Sequence, residues 1–278
     1  FTTMADYSSA LLAGTGHPLY PRYLAALAGD FSGRGPATVI GLTDAKPVAA
    51  AAAANAAISH LWEVDDAHRQ STSHPGITVI PAVIALSQAL PDVPTARIRG
   101  AVVAGFEAVI RIGSYLGPDH YAVCHTTATA GTFGAAAAAS HLLGLDERHC
   151  LWAFGHAGTQ AQGLWQILDD DAADAKAFHA ATAVRNGIAA AMMARADIPA
   201  AEHILEGPRG MLAAWKLSGG DPSWLDPVDG QMIHTVTVKN WPTCGQMHSA
   251  LDCADELQGA GGYDPAQIDS IDIQVPAA

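Results

Sequence analysis

Cysteine is scarce in this chain. Its 278 residues include only 4, and Cys124, Cys150, Cys244 and Cys253 lie far apart with no CxxC pair. That excludes a disulfide framework or a zinc ribbon and points to a reduced, cytoplasmic protein. Basic residues are also few, 14 Lys and Arg against 27 Asp and Glu, for a net charge of −13. A chain so acidic lacks the clustered positive charge needed to grip nucleic acid or an anionic membrane, so neither is expected as a partner. An anionic substrate would meet a repulsive overall field, and a site for it must be built from local cations. No apolar run reads as transmembrane, because the Ala-rich stretches are interrupted by Asn55, His60 or Ser140. Phe1 to Leu12 has no basic opening of the kind a secretion signal needs. GxGxxG, a Walker loop and a GxSxG elbow are all missing, so no organic cofactor is expected.

Half of the chain is hydrophobic, enough for a sizeable core. Most of it reads as helix: 48–61, Ala-rich with Pro47 at its start; 81–90, with Pro81 at the first turn; 95–116, apolar at helical spacing; 126–143, with Gly144 as a C-terminal stop; 146–161, with Asp146 as N-cap; and 175–196. Past residue 230 the pattern changes. After a loop marked by Gly219-Gly220-Asp221-Pro222 and Asp226-Pro227, residues 234–239 alternate as a strand, 249–258 return to helix, and 268–275 alternate again. The expected fold is mainly α: an all-helical domain over 1–230, then the beginning of a smaller α+β domain over 231–278. Two strands and a helix are too few to close a sheet, so the second domain reads as incomplete.

Polar residues gather in four places. Glu63, Asp65, Asp66, His68 and His74 lie within twelve positions, as acid/base groups or as a solvated helix end. A metal is not expected there, because the HxxxH and HxxEH spacings are absent. His125 precedes a helix whose first turn is rich in hydroxyls. It reads as a neutral base beside free N–H groups, or as a core residue next to a Thr126 or Thr127 cap. Four aspartates, Asp169, Asp170, Asp171 and Asp174, read as a solvated loop. Lys176, unfavourable against the helix dipole, suits anion binding. Lys239 at a strand end is an edge charge or a substrate contact, and Arg209 in a tight turn is an anion contact or a helix cap.

Taken in order, SSALLAGTG (8–16), AAAANAAISHLWEVDDAH (51–68), HPGITVIPAVIALSQ (74–88), CHTTATAGTFGAAAAASHLLGL (124–145), AKAFHAATAVRNG (175–187), ILEGPRG (204–210) and KNWPTCGQMHSALD (239–252) resemble the MmgE/PrpD family. That family includes 2-methylcitrate dehydratase, cis-aconitate decarboxylase and iminodisuccinate epimerase. The resemblance implies a helical large domain, a small lid domain, a homodimer and a cofactor-independent lyase acting beside a carboxylate of a small substrate. Dehydration of a hydroxy-polycarboxylate such as 2-methylcitrate comes first. Decarboxylation or epimerisation of a related acid, or a non-catalytic scaffold, are the alternatives. Family members are longer, so the chain reads as a fragment or a reduced member. Carried over, the family's DxDDTH motif falls on Glu63, Asp65, Asp66 and His68, with Ala67 where the family has threonine. The resemblance implies His125 as the group moving the proton α to a carboxylate and His74, oriented by Glu63 or Asp66, as the opposing acid. Lys176 and Lys239 would hold substrate carboxylates.

Overall fold

A computed structural model describes residues 2–29, 32–226, 231–261 and 264–274. Phe1, Pro227 and Val275, named above, lie outside them. The helices run α1 (Thr2–Gly14), α2 (Tyr20–Ala28), α3 (Val48–His60), α4 (Pro75–Ala89), α5 (Thr95–Tyr121), α6 (Thr126–Leu143), α7 (Glu147–Gly158), the short α8 (Gln166–Asp169), α9 (Lys176–Arg195), α10 (Met211–Trp215) and α11 (His248–Ala260). The fold is mainly α, as expected.

The core forms around α6, which packs between α5 and α9 and also touches α4 and α7. Small residues make this approach possible. A Cβ on Gly187 of α9 would run into the backbone of Thr132 and Ala136, and one on Gly134 of α6 would strike Val109 and the Gly105 carbonyl. Closely spaced helices exclude water from the alanines between them, and α6 is buried along nearly its whole length. Gly144 ends α6 in the left-handed conformation, and the Asp146 side chain accepts from the His149 N–H at 2.9 Å to start α7.

Three expectations change. Helix α4 begins at Pro75 rather than Pro81, which lies buried within it. The first turn tolerates Pro75, and Pro81 forfeits one backbone donor in a helix held by packing on several sides. Helix α5 continues to Tyr121 through a break at Gly117 (φ 75°). It is long and apolar enough by composition to cross a membrane, but 67% of that window is buried in the bundle. The alternation at 234–239 and 268–275 forms no strand among the described residues. Met232–Thr235 is a 3-10 turn, and Thr237 makes an isolated antiparallel bridge to Ala67. β-branched alternation favours extension, but a strand needs a neighbouring strand to satisfy its ladder, and this segment finds a loop.

Candidate functional site

Helix α3 ends by delivering His60, fully buried, into the start of the 61–74 loop. That loop turns at Glu63, whose left-handed backbone (φ 55°) is unusual for a side chain of this size. It then sends Asp65 and Asp66 inward, both buried. Asp65 lies between two imidazoles. Its Oδ2 is 2.9 Å from His60 Nδ1 and 3.3 Å from His74 Nδ1. Burial alone would raise the Asp65 carboxyl, but the neighbouring His60 and His74 hold it far below the ordinary carboxylate range.

Asp66 does a different job. Both of its oxygens accept from the Gly76 N–H, at 2.9 and 3.1 Å, and close the first turn of α4. Its backbone carbonyl accepts from His74 Nδ1 at 2.7 Å. Burial, and next the charge of Asp65, push its carboxyl well up. The partners of His74 Nδ1 are therefore the Asp65 side chain and the Asp66 backbone, in place of the expected Glu63 or Asp66 carboxylates. The His74 N–H donates to Thr127 Oγ1 at 3.1 Å, tying the start of α4 to the start of α6.

His125 stands immediately before α6 with its N–H donated to the Gly163 carbonyl at 2.8 Å. Its ring is buried against Trp165 (centroids 4.5 Å apart), and its Nδ1 is 3.2 Å from His179 Nδ1. Neither Thr126 nor Thr127 caps α6. Burial, and then Lys176 and the surrounding imidazoles, bring His125 well below its ordinary value. Burial likewise takes His74 down to about 3, and His179 to about 4. The rings of His60, His74 and His125 are mutual neighbours, with centroids 5.0 to 6.1 Å apart.

Two ammonium groups complete the site. Lys176, the first residue of α9, donates to both oxygens of Glu63 at 2.7 Å. Lys239 donates to the Glu63 carbonyl at 2.7 Å and lies 3.9 Å from Oε2. Its side chain is 1% exposed, so it is no edge charge. Burial would raise the Glu63 carboxyl, but His60 and Lys176 outweigh it and hold it low. Glu63 and Lys176 are within reach of solvent, at 25% and 19% side-chain exposure.

The candidate residues Glu63, Asp66, His74, His125, Lys176 and Lys239 thus meet in one place. Asp169, Asp170, Asp171 and Asp174 are exposed, as is Arg209. Sequence reasoning passed over His60, hidden among alanines, and His179. The available signals were His60 five positions before Asp65 and His179 three positions after Lys176, on the same face of α9. Ring nitrogens of His60, His74 and His125 lie within 4.8 Å of one another, close enough, among the described residues, for the three to share a metal ion. A tetrahedral zinc, with Zn–N near 2.0–2.1 Å, would draw them to about 3.4 Å apart, beside two ammonium groups that oppose a second cation.

Fold and site together define a mainly helical protein that gathers imidazoles, carboxylates and ammonium groups in one cluster. The chain belongs to the MmgE/PrpD family: the family's N-terminal domain matches residues 2–224. It is 30% identical over 244 residues to a cis-aconitate decarboxylase of Aspergillus terreus, covering 83% of this chain and 49% of that protein. It is 29% identical over 234 residues to a cis-aconitate decarboxylase of Mus musculus (81% and 47%), and 30% over 179 residues to one of Homo sapiens (61% and 36%). The chain spans about half the length of the Aspergillus and mouse relatives.

Proposed function

We propose that this chain carries the proton-transfer site of a lyase acting beside a carboxylate of a small polycarboxylate. The observation that carries the reading is the pairing of partly exposed Lys176 with Glu63 beside the buried pair His74 and His125. A substrate carboxylate takes the place of Glu63 on Lys176. Lys239 adds positive charge from the far side of Glu63. The imidazoles then face the carbon next to that carboxylate, in surroundings dry enough to strengthen every charge interaction.

The relatives' activity supports decarboxylation of an unsaturated tricarboxylate such as cis-aconitate ahead of the dehydration expected from sequence. In that reaction the bond to one carboxylate carbon breaks and CO2 leaves. The electron pair spreads into the remaining conjugated carboxylate, held by the ammonium groups, and a solvent proton relayed by His125 adds to carbon. Dehydration is the second reading, favoured by the neutral state that burial imposes on His125. A neutral His125 removes the α proton, the electron pair expels the β-hydroxyl, and that proton reaches the leaving oxygen by way of the neighbouring His74 to give water. Either route asks about 10²–10⁴ in rate of each acid/base group. No cofactor enters either scheme. A homodimer belongs to the same proposal.

The test is proton NMR of the chain with cis-aconitate, citrate and 2-methylcitrate. Loss of CO2 from cis-aconitate is the expected result. Conversion of 2-methylcitrate to its unsaturated acid supports the second reading. An unchanged panel removes both.

A further inference from the structure

His125 enters α6 with no side-chain cap, and its backbone is held instead by residues 163–165. The two stretches run antiparallel. The His125 N–H donates to the Gly163 carbonyl at 2.8 Å, the Trp165 N–H donates to the Val123 carbonyl at 3.1 Å, and Cys124 bridges Leu164 between them. Along extended backbone, alternate side chains point to opposite sides. Leu164 turns outward, 61% exposed. Trp165 turns inward, on the side where a Cβ on Gly163 would meet Ala128 of α6 and His179 of α9.

The indole of Trp165 therefore comes to rest on the His125 ring, with centroids 4.5 Å apart and planes at 31°. Tyr121 meets Trp165 edge-on, at 5.6 Å and 85°, and supports it from the end of α5. Among the described residues the His125 ring has one side-chain hydrogen-bond partner, His179, Nδ1 to Nδ1 at 3.2 Å. A single hydrogen bond leaves an imidazole able to swivel about it, and an aromatic surface packed against the ring removes that freedom. Such a contact engages no ring nitrogen, so Nε2 stays available for chemistry. A proton passes between Nε2 and carbon only when the two are aligned, and misplacement by about 1 Å costs about a hundredfold in rate.

Resting on the function proposed above, we propose that Trp165 is a positioning residue for the reaction: its indole sets the plane of the His125 ring, and with it the line along which Nε2 meets the substrate carbon. Two variants separate this role from mere filling of space. Trp165→Phe keeps an aromatic surface, whereas Trp165→Met fills the gap with a flexible chain that has none. With cis-aconitate, Trp165→Met is expected to lower kcat about tenfold to a hundredfold while KM stays within about twofold. Trp165→Phe is expected to hold kcat within about threefold of the native chain. Diethyl pyrocarbonate labelling, read by peptide mass spectrometry against the exposed His203, is expected to reach His125 faster in Trp165→Met than in the native chain. A native kcat in Trp165→Met, equal losses in both variants, or unchanged labelling of His125 overturns the inference and leaves the proposed function standing. No turnover by the native chain overturns the proposed function and, with it, the use of Trp165 in catalysis. Should Trp165→Met fail to fold, proton NMR of the native chain decides. His125 ring protons shifted upfield by the indole, and kept there on adding the saturated tricarboxylate tricarballylate, support the proposal. Ring protons at ordinary positions, or released from the shift by tricarballylate, overturn it.

Discussion

His60 Nδ1 lies 2.9 Å from Asp65 Oδ2, with the two side chains 0% and 1% exposed. A contact so far from water is worth more intact than the sum of its parts, because either partner alone is a buried charge or an unmet donor. Asp65→Asn is therefore expected to cost about 3–5 kcal/mol of stability. Asp66→Asn tells a different story. Burial and the neighbouring Asp65 already push that carboxyl toward its neutral form, and an amide oxygen can still accept from Gly76. Its cost is expected to stay within about 1 kcal/mol. Urea unfolding of the two variants at pH 7 checks the contrast, and equal losses would contradict it.

The two lysines separate in the same way. Lys176→Gln removes a cation at the more exposed side of the cluster, so folding is expected to hold while KM for a polycarboxylate rises about tenfold to a hundredfold. Lys239→Gln removes the donor that fixes the left-handed turn at Glu63, and is expected to lower the melting temperature more than Lys176→Gln does. Thermal unfolding and steady-state kinetics of both variants read the two effects separately.

Acid stability follows from the buried imidazoles. Burial lowers His68, His120 and His179 to about 4 and His74 to about 3, all from 6.5. Between those values the unfolded chain binds more protons than the folded one. The stability they confer is fully present above pH 6.5 and drains away as pH falls toward 4. Asp66, raised by burial, acts in the opposite sense: its contribution is present below 3.8 and lost as pH rises. The imidazoles outnumber it. The urea midpoint is expected to drop steadily from pH 7 to pH 5, and a midpoint flat over that range would contradict the burial of these rings.

Close helix packing sets a further limit. Gly187→Ala places a methyl group against the backbone of α6, and relieving it requires α9 to move. A loss of about 1–3 kcal/mol is expected in denaturant unfolding, with no loss expected if the two helices were loosely apposed.

Much of this was legible in the chain. Alanine runs bounded by Pro47 and Gly144 marked α3 and α6, because a helix start and stop are local chemistry. Pro81 misled because a proline reads as a first-turn residue, and only the burial of α4 on several sides lets one sit inside. Residues 234–239 misled because alternation records a preference for extension and says nothing of a partner strand. Glu63, His74, His125 and Lys176 were readable as a group. His60 was not, because an imidazole amid alanines takes its meaning from Asp65, which reaches it only after the loop has folded back. The same folding sets three imidazoles close together without any metal-binding spacing in sequence. Dialysis against EDTA is expected to leave turnover unchanged; activity lost on dialysis and restored by zinc would show the trio to be a metal centre.

In the proposed reaction, His125 carries a proton to or from carbon beside a carboxylate. The most direct test is turnover of cis-aconitate in deuterated water by the native chain and by His125→Gln. One solvent deuteron in each product molecule is expected from the native chain, with the rate falling about 10²–10⁴-fold in the variant. A variant that turns over at the native rate with the same deuterium content would contradict it.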